Sequence, residues 1–273
     1  MLKLNNSMRL QKVTSRENQR LVHARKVRDG KVEGLLFIEG RRLVGEALRS
    51  ELKVVECFIA EDLEDRNLID KLENLDADVV QSPSSLFRSI TDTAEPQGII
   101  ILAERPTTSF TMENWRNVKV PIYLFLKEVN NPSNLGAILR SVEAAGAGGV
   151  FISKKSADVY SPKSLRSSMG AAFRVPVQVD ADLSDVVIAA RDVGVNCVAL
   201  AASVAKSYLD VNWTKPHLLV YGSEAHGLTE EEVERAGEAI SIPMEPSVES
   251  LNLAVAAGIV LFEARRQAYK VIG

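Results

Sequence analysis

The polar residues that could do chemistry lie in four short loops, each flanked by apolar sequence. The first, Asn130-Asn131-Pro132-Ser133-Asn134-Leu135-Gly136, leads into AILRSVEAAG and supplies Asn134 and, six residues on, Arg140. Six residues are about 1.7 turns of helix, so the two do not share one face, yet the length of an arginine would let both address one cleft. The second, Gly222-Ser223-Glu224-Ala225-His226-Gly227-Leu228, follows the run HLLVY, with Gly222 permitting close backbone approach to a ligand and Glu224 just beyond the run's end. In the third, Ser241 to Asn252, composition turns from turn-like to apolar at Ser250. Ser250 and Asn252 stand at or next to a helix start, where unpaired N–H groups favour anionic or polar ligands, and Ser250 reads equally well as the helix N-cap. The fourth, SPKSLRSSMG from Ser161 to Gly170, puts hydroxyls and cations at a helix start, an arrangement suited to phosphate.

Each loop also has a plain structural explanation. Pro132 with Ser133 starts a helix well and Gly146 suits its C-terminal turn, while Thr229 and Glu232 after the second loop spell a capping box. The run Gly146-Ala147-Gly148-Gly149 is not a dinucleotide fingerprint, because Phe151 takes the last glycine position and a strand follows the run where one should precede it. No P-loop pattern occurs either. Cys57 and Cys197 lie in apolar runs, away from His23, His217 and His226, so no zinc site is expected.

The elements that must carry these loops alternate. IYLFLKEV (122–129), GVFI (149–152), VPVQV (175–179), NCVALAAS (196–203), HLLVYG (217–222) and AISIPM (239–244) read as strands. Helices read between most of them, over 132–146, 162–169, 183–193 and 229–236, with a closing helix from Ser250. Strands with few polar residues separated by helices imply an α/β fold with a mostly parallel sheet covered on both faces and its ligand at the strands' carboxyl ends. From Leu251 to Phe262 the only polar side chain is Asn252, so the closing helix is expected to be buried around its circumference, although it is too short to span a bilayer. Upstream, LLFIEG, GRRLVGEALRS, VVECFIA, a helix over 65–74, DVVQ, a short helix over 84–89 and GIIILAE form a small α/β sandwich. Residues 1–105 are thus one domain, 106–119 a linker rich in turn residues and 120–273 a second domain.

The net charge of −3 speaks against a polyanion-binding surface until the charges are located: residues 1–53 hold 13 Lys/Arg against 6 Asp/Glu. Such asymmetry suggests a basic arm, the polar helix over 14–28 above all, that contacts phosphates beside an acidic body. The N-terminus lacks an apolar signal segment, so a cytoplasmic, non-membrane protein is expected, with organelle import left open by its Arg and Lys content.

Four segments in order, NNPSNLGAILRSVEAAG, DVYSPKSLRSSMGAAFRVPV, LLVYGSEAHGLTEE and IPMEPSVESLNLAVAAGIVLFE, resemble the motifs of the SpoU (TrmH) family of RNA ribose 2′-O-methyltransferases in the SPOUT superfamily. FIEGRRLVGEAL and PQGIIIL resemble its ribosomal-protein-like substrate-binding domain. The resemblance implies S-adenosylmethionine as methyl donor, a deep trefoil knot in the C-terminal domain and a homodimer whose interface adjoins the donor site. It assigns Asn134, Arg140, Glu224, Ser250 and Asn252 to the catalytic set. To donor binding it assigns the loops at Leu200, Ala201 and Ala202, at Tyr221 and Gly222, at Ile242 and Met244, and at Ser250 and Leu251. Three departures stand out: Asn131 where the family often has Asp, Ala225-His226 where it has Gly-Glu or similar, and Glu245-Pro246 where it has Gly, the last inside a donor loop. The implied chemistry is methyl transfer to a ribose hydroxyl, with Arg140 stabilising the alkoxide because a guanidinium is not deprotonated in proteins. Ribosomal RNA is the expected substrate. The alternatives are transfer RNA, a base methylase of the same superfamily, or a non-catalytic RNA-binding or ribosome-assembly protein in which Glu245-Pro246 abolishes donor binding.

Overall fold

The computed structural model describes residues 10–73, 75, 77–106, 119–202 and 204–272. The expected linker falls almost wholly outside the described residues. Two compact units form: Met1–Thr107 with Tyr160–Phe173, and Thr108–Val159 with Arg174–Gly273. The segment Tyr160–Phe173, read from sequence as part of the second domain, therefore groups with the first.

In the first unit, strands β1 (Leu10–Lys12), β2 (Leu35–Glu39), β3 (Val54–Ala60), β4 (Asp78–Ser82) and β5 (Ile99–Glu104) form one sheet in the order β1-β4-β3-β5-β2. β1, β4 and β3 run parallel, whereas β5 is antiparallel to β3 and β2. Phe37, Phe58, Val80, Ile100 and Leu102 alternate onto one face and meet Leu21, Ala24 and Val27 of α1 (Gln19–Arg28) and Phe87 of α4 (Ser84–Phe87). Helix α2 (Arg41–Arg49) packs on β2 and β5, α3 (Arg66–Glu73) follows β3, and α6 (Pro162–Ser168) packs on β2. β1 has no counterpart in the sequence reading, since a three-residue edge strand reading LQK carries no alternating apolar pattern.

Helix α1 begins later than the 14–28 reading, at Gln19, because the Asn18 side chain accepts from Arg20 N and caps it there. Its arginines serve their own domain. Arg20 bridges Glu56 at 2.6 Å and Asp78 at 2.8 Å, Arg25 donates to the Arg16 carbonyl and Arg28 to the Thr91 carbonyl. Arg20 and Arg28 therefore use their charge within the unit, whereas Lys26 is exposed.

The second unit is a six-stranded, wholly parallel sheet in the order β11-β9-β10-β6-β7-β8. Its strands are β6 (Val120–Leu126), β7 (Ala147–Ser153), β8 (Val177–Ala181), β9 (Asn196–Leu200), β10 (His217–Tyr221) and β11 (Glu238–Ile240). Every residue of β10 is buried, as a central strand covered on both faces requires. Helices α5 (Pro132–Ala145), α7 (Leu183–Asp192), α8 (Glu230–Ala236) and α9 (Leu253–Ile272) complete the unit, with α9 packed on α5 and β6. The glycine run rejected as a nucleotide fingerprint has structural work: Gly146 ends α5 in the left-handed region at φ 76°, and a Cβ on Gly148 would lie 2.2 Å from the Tyr123 ring.

Helix α9 departs from two expectations. It begins at Leu253, capped by Asn252, whose Oδ1 accepts from Ala254 N at 2.9 Å and Val255 N at 3.3 Å, so Asn252 and not Ser250 is the cap. It is also not buried all round, since Val255, Phe262 and Tyr269 are 51%, 49% and 41% exposed along one stripe. No helix among the described residues is long and apolar enough to cross a membrane.

Candidate active site

The order of the second sheet places β9, β10 and β6 side by side, with β11 outside β9, and the loops leaving their carboxyl ends enclose a cleft of about 500 Å³. That volume suits a small organic ligand. Leu200, Ala201 and Ala202 line it from the end of β9, Tyr221 and Gly222 from the end of β10, Ile242 and Met244 from beyond β11, and Ser250 and Leu251 from the approach to α9. Asn134, Glu224 and Asn252 join them. Ser223, Ala225, Gly227, Leu253 and Ala256 also face the cleft. The first three belong to a loop already singled out, whereas Ala256, one turn into α9, carries no signal that would separate it from core.

The loop after β10 is compressed onto itself. Ser223 N donates to the Gly227 carbonyl at 3.0 Å and Gly227 N returns a bond to the Ser223 carbonyl at 2.9 Å. A Cβ on Gly222 would meet the Gly227 carbonyl carbon at 2.1 Å and Leu228 N at 2.4 Å, so no other residue fits without moving the loop. Bare backbone is thereby presented to the cleft at this point. Tyr221 is buried, with its hydroxyl 3.5 Å from the Ala256 carbonyl, and burial pushes its phenol up, so it forms a neutral wall.

Three polar side chains form a connected chain in the mouth. Glu224 Oε2 accepts from Asn130 N at 3.2 Å and Asn131 N at 3.1 Å, while Oε1 accepts from Asn134 Nδ2. Asn252 Nδ2 donates to Asn134 Oδ1 at 3.2 Å. Residues 134, 224 and 252, far apart in sequence, are thus tied together by the start of α5, the β10 loop and the start of α9. Both Glu224 oxygens are occupied as acceptors, which suits holding the Asn130-to-Asn134 turn in place more than receiving a proton. Asn131 caps α5 by accepting from Ser133 N at 2.9 Å, filling at that position the part an Asp would play.

Arg140 stands elsewhere. It is exposed on α5 and does not line the cleft of its own chain. Glu245 and Pro246 are exposed in a turn closed by Val248 N donating to the Glu245 carbonyl at 2.9 Å, and they also lie outside the cleft lining. The Ser161-to-Gly170 segment is turned inward: Ser161 caps α6, Ser164 and Ser168 are buried, Ser168 Oγ donates to the Leu165 carbonyl and Arg166 pairs with Asp92 at 2.7 Å. Its hydroxyls stabilise a helix, which corrects the expectation that they await phosphate. Among the described residues no cluster of His, Cys, Asp or Glu could hold a metal. The capping box of Thr229 and Glu232 is present, and Glu232 also pairs with Lys127 at 2.7 Å.

Residues 121–262 match the model of the SpoU rRNA Methylase family, and residues 14–101 match that of an MRM3-like substrate binding domain. The chain is 31% identical to the mitochondrial rRNA methyltransferase 3A of Danio rerio, over 86% of this chain and 64% of that protein. The AdoMet-bound rRNA methyltransferase of Sinorhizobium meliloti superposes with a TM-score of 0.82 at 29% identity, covering 94% of this chain and 98% of that one. A solved RNA 2′-O ribose methyltransferase superposes with a TM-score of 0.80 at 27% identity, covering 95% and 100%.

Proposed function

The chain belongs to the SpoU rRNA Methylase family, and from that premise we propose that it transfers a methyl group from S-adenosylmethionine to a ribose 2′-hydroxyl of ribosomal RNA. The observation that carries this reading is the cleft at the carboxyl ends of β9, β10 and β6. It has the size for the donor, a backbone wall at Gly222 that no side chain could share, and a connected set of polar side chains at Asn134, Glu224 and Asn252. The names of the Danio and Sinorhizobium relatives support ribosomal RNA, and the solved 2′-O ribose methyltransferase supports the ribose hydroxyl.

When bound, S-adenosylmethionine supplies an electrophilic methyl group on a sulfonium. The loops at Leu200 to Ala202, Tyr221–Gly222 and Ile242 to Met244 would hold it. Ser250, Asn252 and Asn134 at the mouth would orient the ribose, and Glu224 keeps Asn134 in position. Alignment of this kind can supply about 7–11 kcal/mol in favourable cases. Arg140 is assigned to stabilising the developing alkoxide. Because it does not line its own chain's cleft, a homodimer in which each copy presents Arg140 to its neighbour reconciles its exposure with that role. The exposed stripe of Val255, Phe262 and Tyr269 on α9 supports such an interface. A trefoil knot in the second unit belongs to the same proposal.

The rival reading, a non-catalytic RNA-binding protein, rested on Glu245-Pro246. Their place outside the cleft lining removes its motive. The test is incubation of the protein with S-adenosylmethionine and protein-free ribosomal RNA, followed by mass mapping of the nucleotides. A 2′-O-methyl group at a defined site is expected. A methylated base, or no product alongside undetectable donor binding, would refute the proposal.

A further inference from the structure

The first unit holds a smaller cleft of its own, of about 170 Å³, at the ends of β2 and β3 and the start of β5. Arg41, Arg88, Ser84, Gln97 and Asp62 give it its polar lining. It is rigidly built. Gln97 Oε1 accepts from Arg41 N at 2.8 Å, and Arg41 Nε donates to the Gln97 carbonyl at 3.3 Å. Behind it, Glu39 is 4% exposed and accepts from Asp92 N at 2.7 Å and from Thr93 Oγ1, which pins the turn leading to Gln97. Arg28 and Arg166 brace the same turn, through the Thr91 carbonyl at 3.0 Å and Asp92 at 2.7 Å.

Of the thirteen Lys and Arg residues over 1–53, five have carboxylate partners within the unit among the described residues. Arg20 meets Glu56 and Asp78, Arg28 and Lys31 meet Asp29, Arg49 meets Glu46 and Lys53 meets Glu104. Arg41 and Arg88 are exposed and, among the described residues, have no carboxylate partner, although they share one cleft. Two arginines lining a common space beside a single carboxylate are suited to an anion with several oxygens.

We infer that the Arg41–Arg88 cleft holds a phosphodiester of the RNA substrate and so positions that RNA for the methylation site. The inference rests on the RNA reading above and adds to it an anchoring site remote in sequence from the donor cleft.

The test compares the full-length protein with its Arg41→Ala/Arg88→Ala double variant. Binding to protein-free ribosomal RNA is measured from about 50 to about 200 mM salt, since each phosphate contact contributes to the salt slope. Loss of this one single-strand phosphate contact is expected to flatten the log–log slope by roughly 0.7. KM for RNA should rise while kcat at saturating RNA and donor affinity stay as they were, and Arg41→Lys/Arg88→Lys should restore the slope. Should alanine lower the melting midpoint, the Arg41→Gln/Arg88→Gln pair replaces it. A folded double variant with unchanged slope and KM overturns this inference alone. Failure of the unaltered protein to bind ribosomal RNA overturns the RNA reading and the inference together.

Discussion

At the scale of single residues, Gly222 is the most constrained position of the cleft. Its missing side chain is a steric necessity, with 2.1 Å between the position of a Cβ and the Gly227 carbonyl carbon. Gly222→Ala is expected to displace the loop that carries Glu224, costing about 1–3 kcal/mol of stability and at least tenfold in donor affinity. Calorimetric titration with S-adenosylmethionine, beside a thermal melt, checks both, and unchanged affinity would remove Gly222 from the donor site. By the same reasoning Glu245 is permissive, because it is exposed and outside the lining.

At the scale of elements, the start of α9 does two things with one side chain. Asn252 Oδ1 caps the helix, and Asn252 Nδ2 reaches Asn134. Asn252→Ala should cost about 1 kcal/mol for the lost cap, lowering the melting midpoint by about 2–4 °C in a unit of this size, and should impair methyl transfer as well. Asn252→Asp separates the two roles, since it keeps an acceptor for Ala254 N and Val255 N but has no donor for Asn134. Its melting midpoint should return to that of the unaltered protein while turnover stays low. Full recovery of turnover would show that the Asn134 contact is dispensable.

At the scale of the whole molecule, α9 leaves one apolar face exposed. Val255, Phe262 and Tyr269 recur at spacings of seven residues, two turns of helix, and present an apolar stripe. If two copies associate there, Phe262→Glu places a charge in each half of the interface and should yield monomers by sedimentation, with loss of methyl transfer because Arg140 no longer meets a neighbour's cleft. A variant that sediments unchanged and retains activity would dissociate Arg140's role from dimerisation.

Much of this architecture was legible in the chain. Strands such as LLFIE, IIILAE and HLLVY are apolar runs of strand length, and helix boundaries at Asn131, Gly146 and Thr229 follow from capping chemistry. Three loops rich in turn residues, each at the end of an apolar run, marked the cleft. The reading failed where local pattern was silent or ambiguous. Ser250 and Asn252 are both competent caps, and the structure shows that Asn252 takes the role, its Oδ1 accepting from Ala254 N and Val255 N. The sequence does not show that Glu56 and Asp78, some 36 and 58 residues beyond Arg20, take up that one arginine of α1. Local sequence determined the elements, their caps and the loops that carry function, because hydrophobic period and backbone hydrogen bonding act over a few residues. Only the tertiary structure decided that Asn134, Glu224 and Asn252 meet while Arg140 lies outside their cleft, and that Arg41 and Arg88 have no carboxylate partner among the described residues. Those outcomes depend on strand order and on which distant carboxylates reach which cations, and neither is encoded within a single window of sequence.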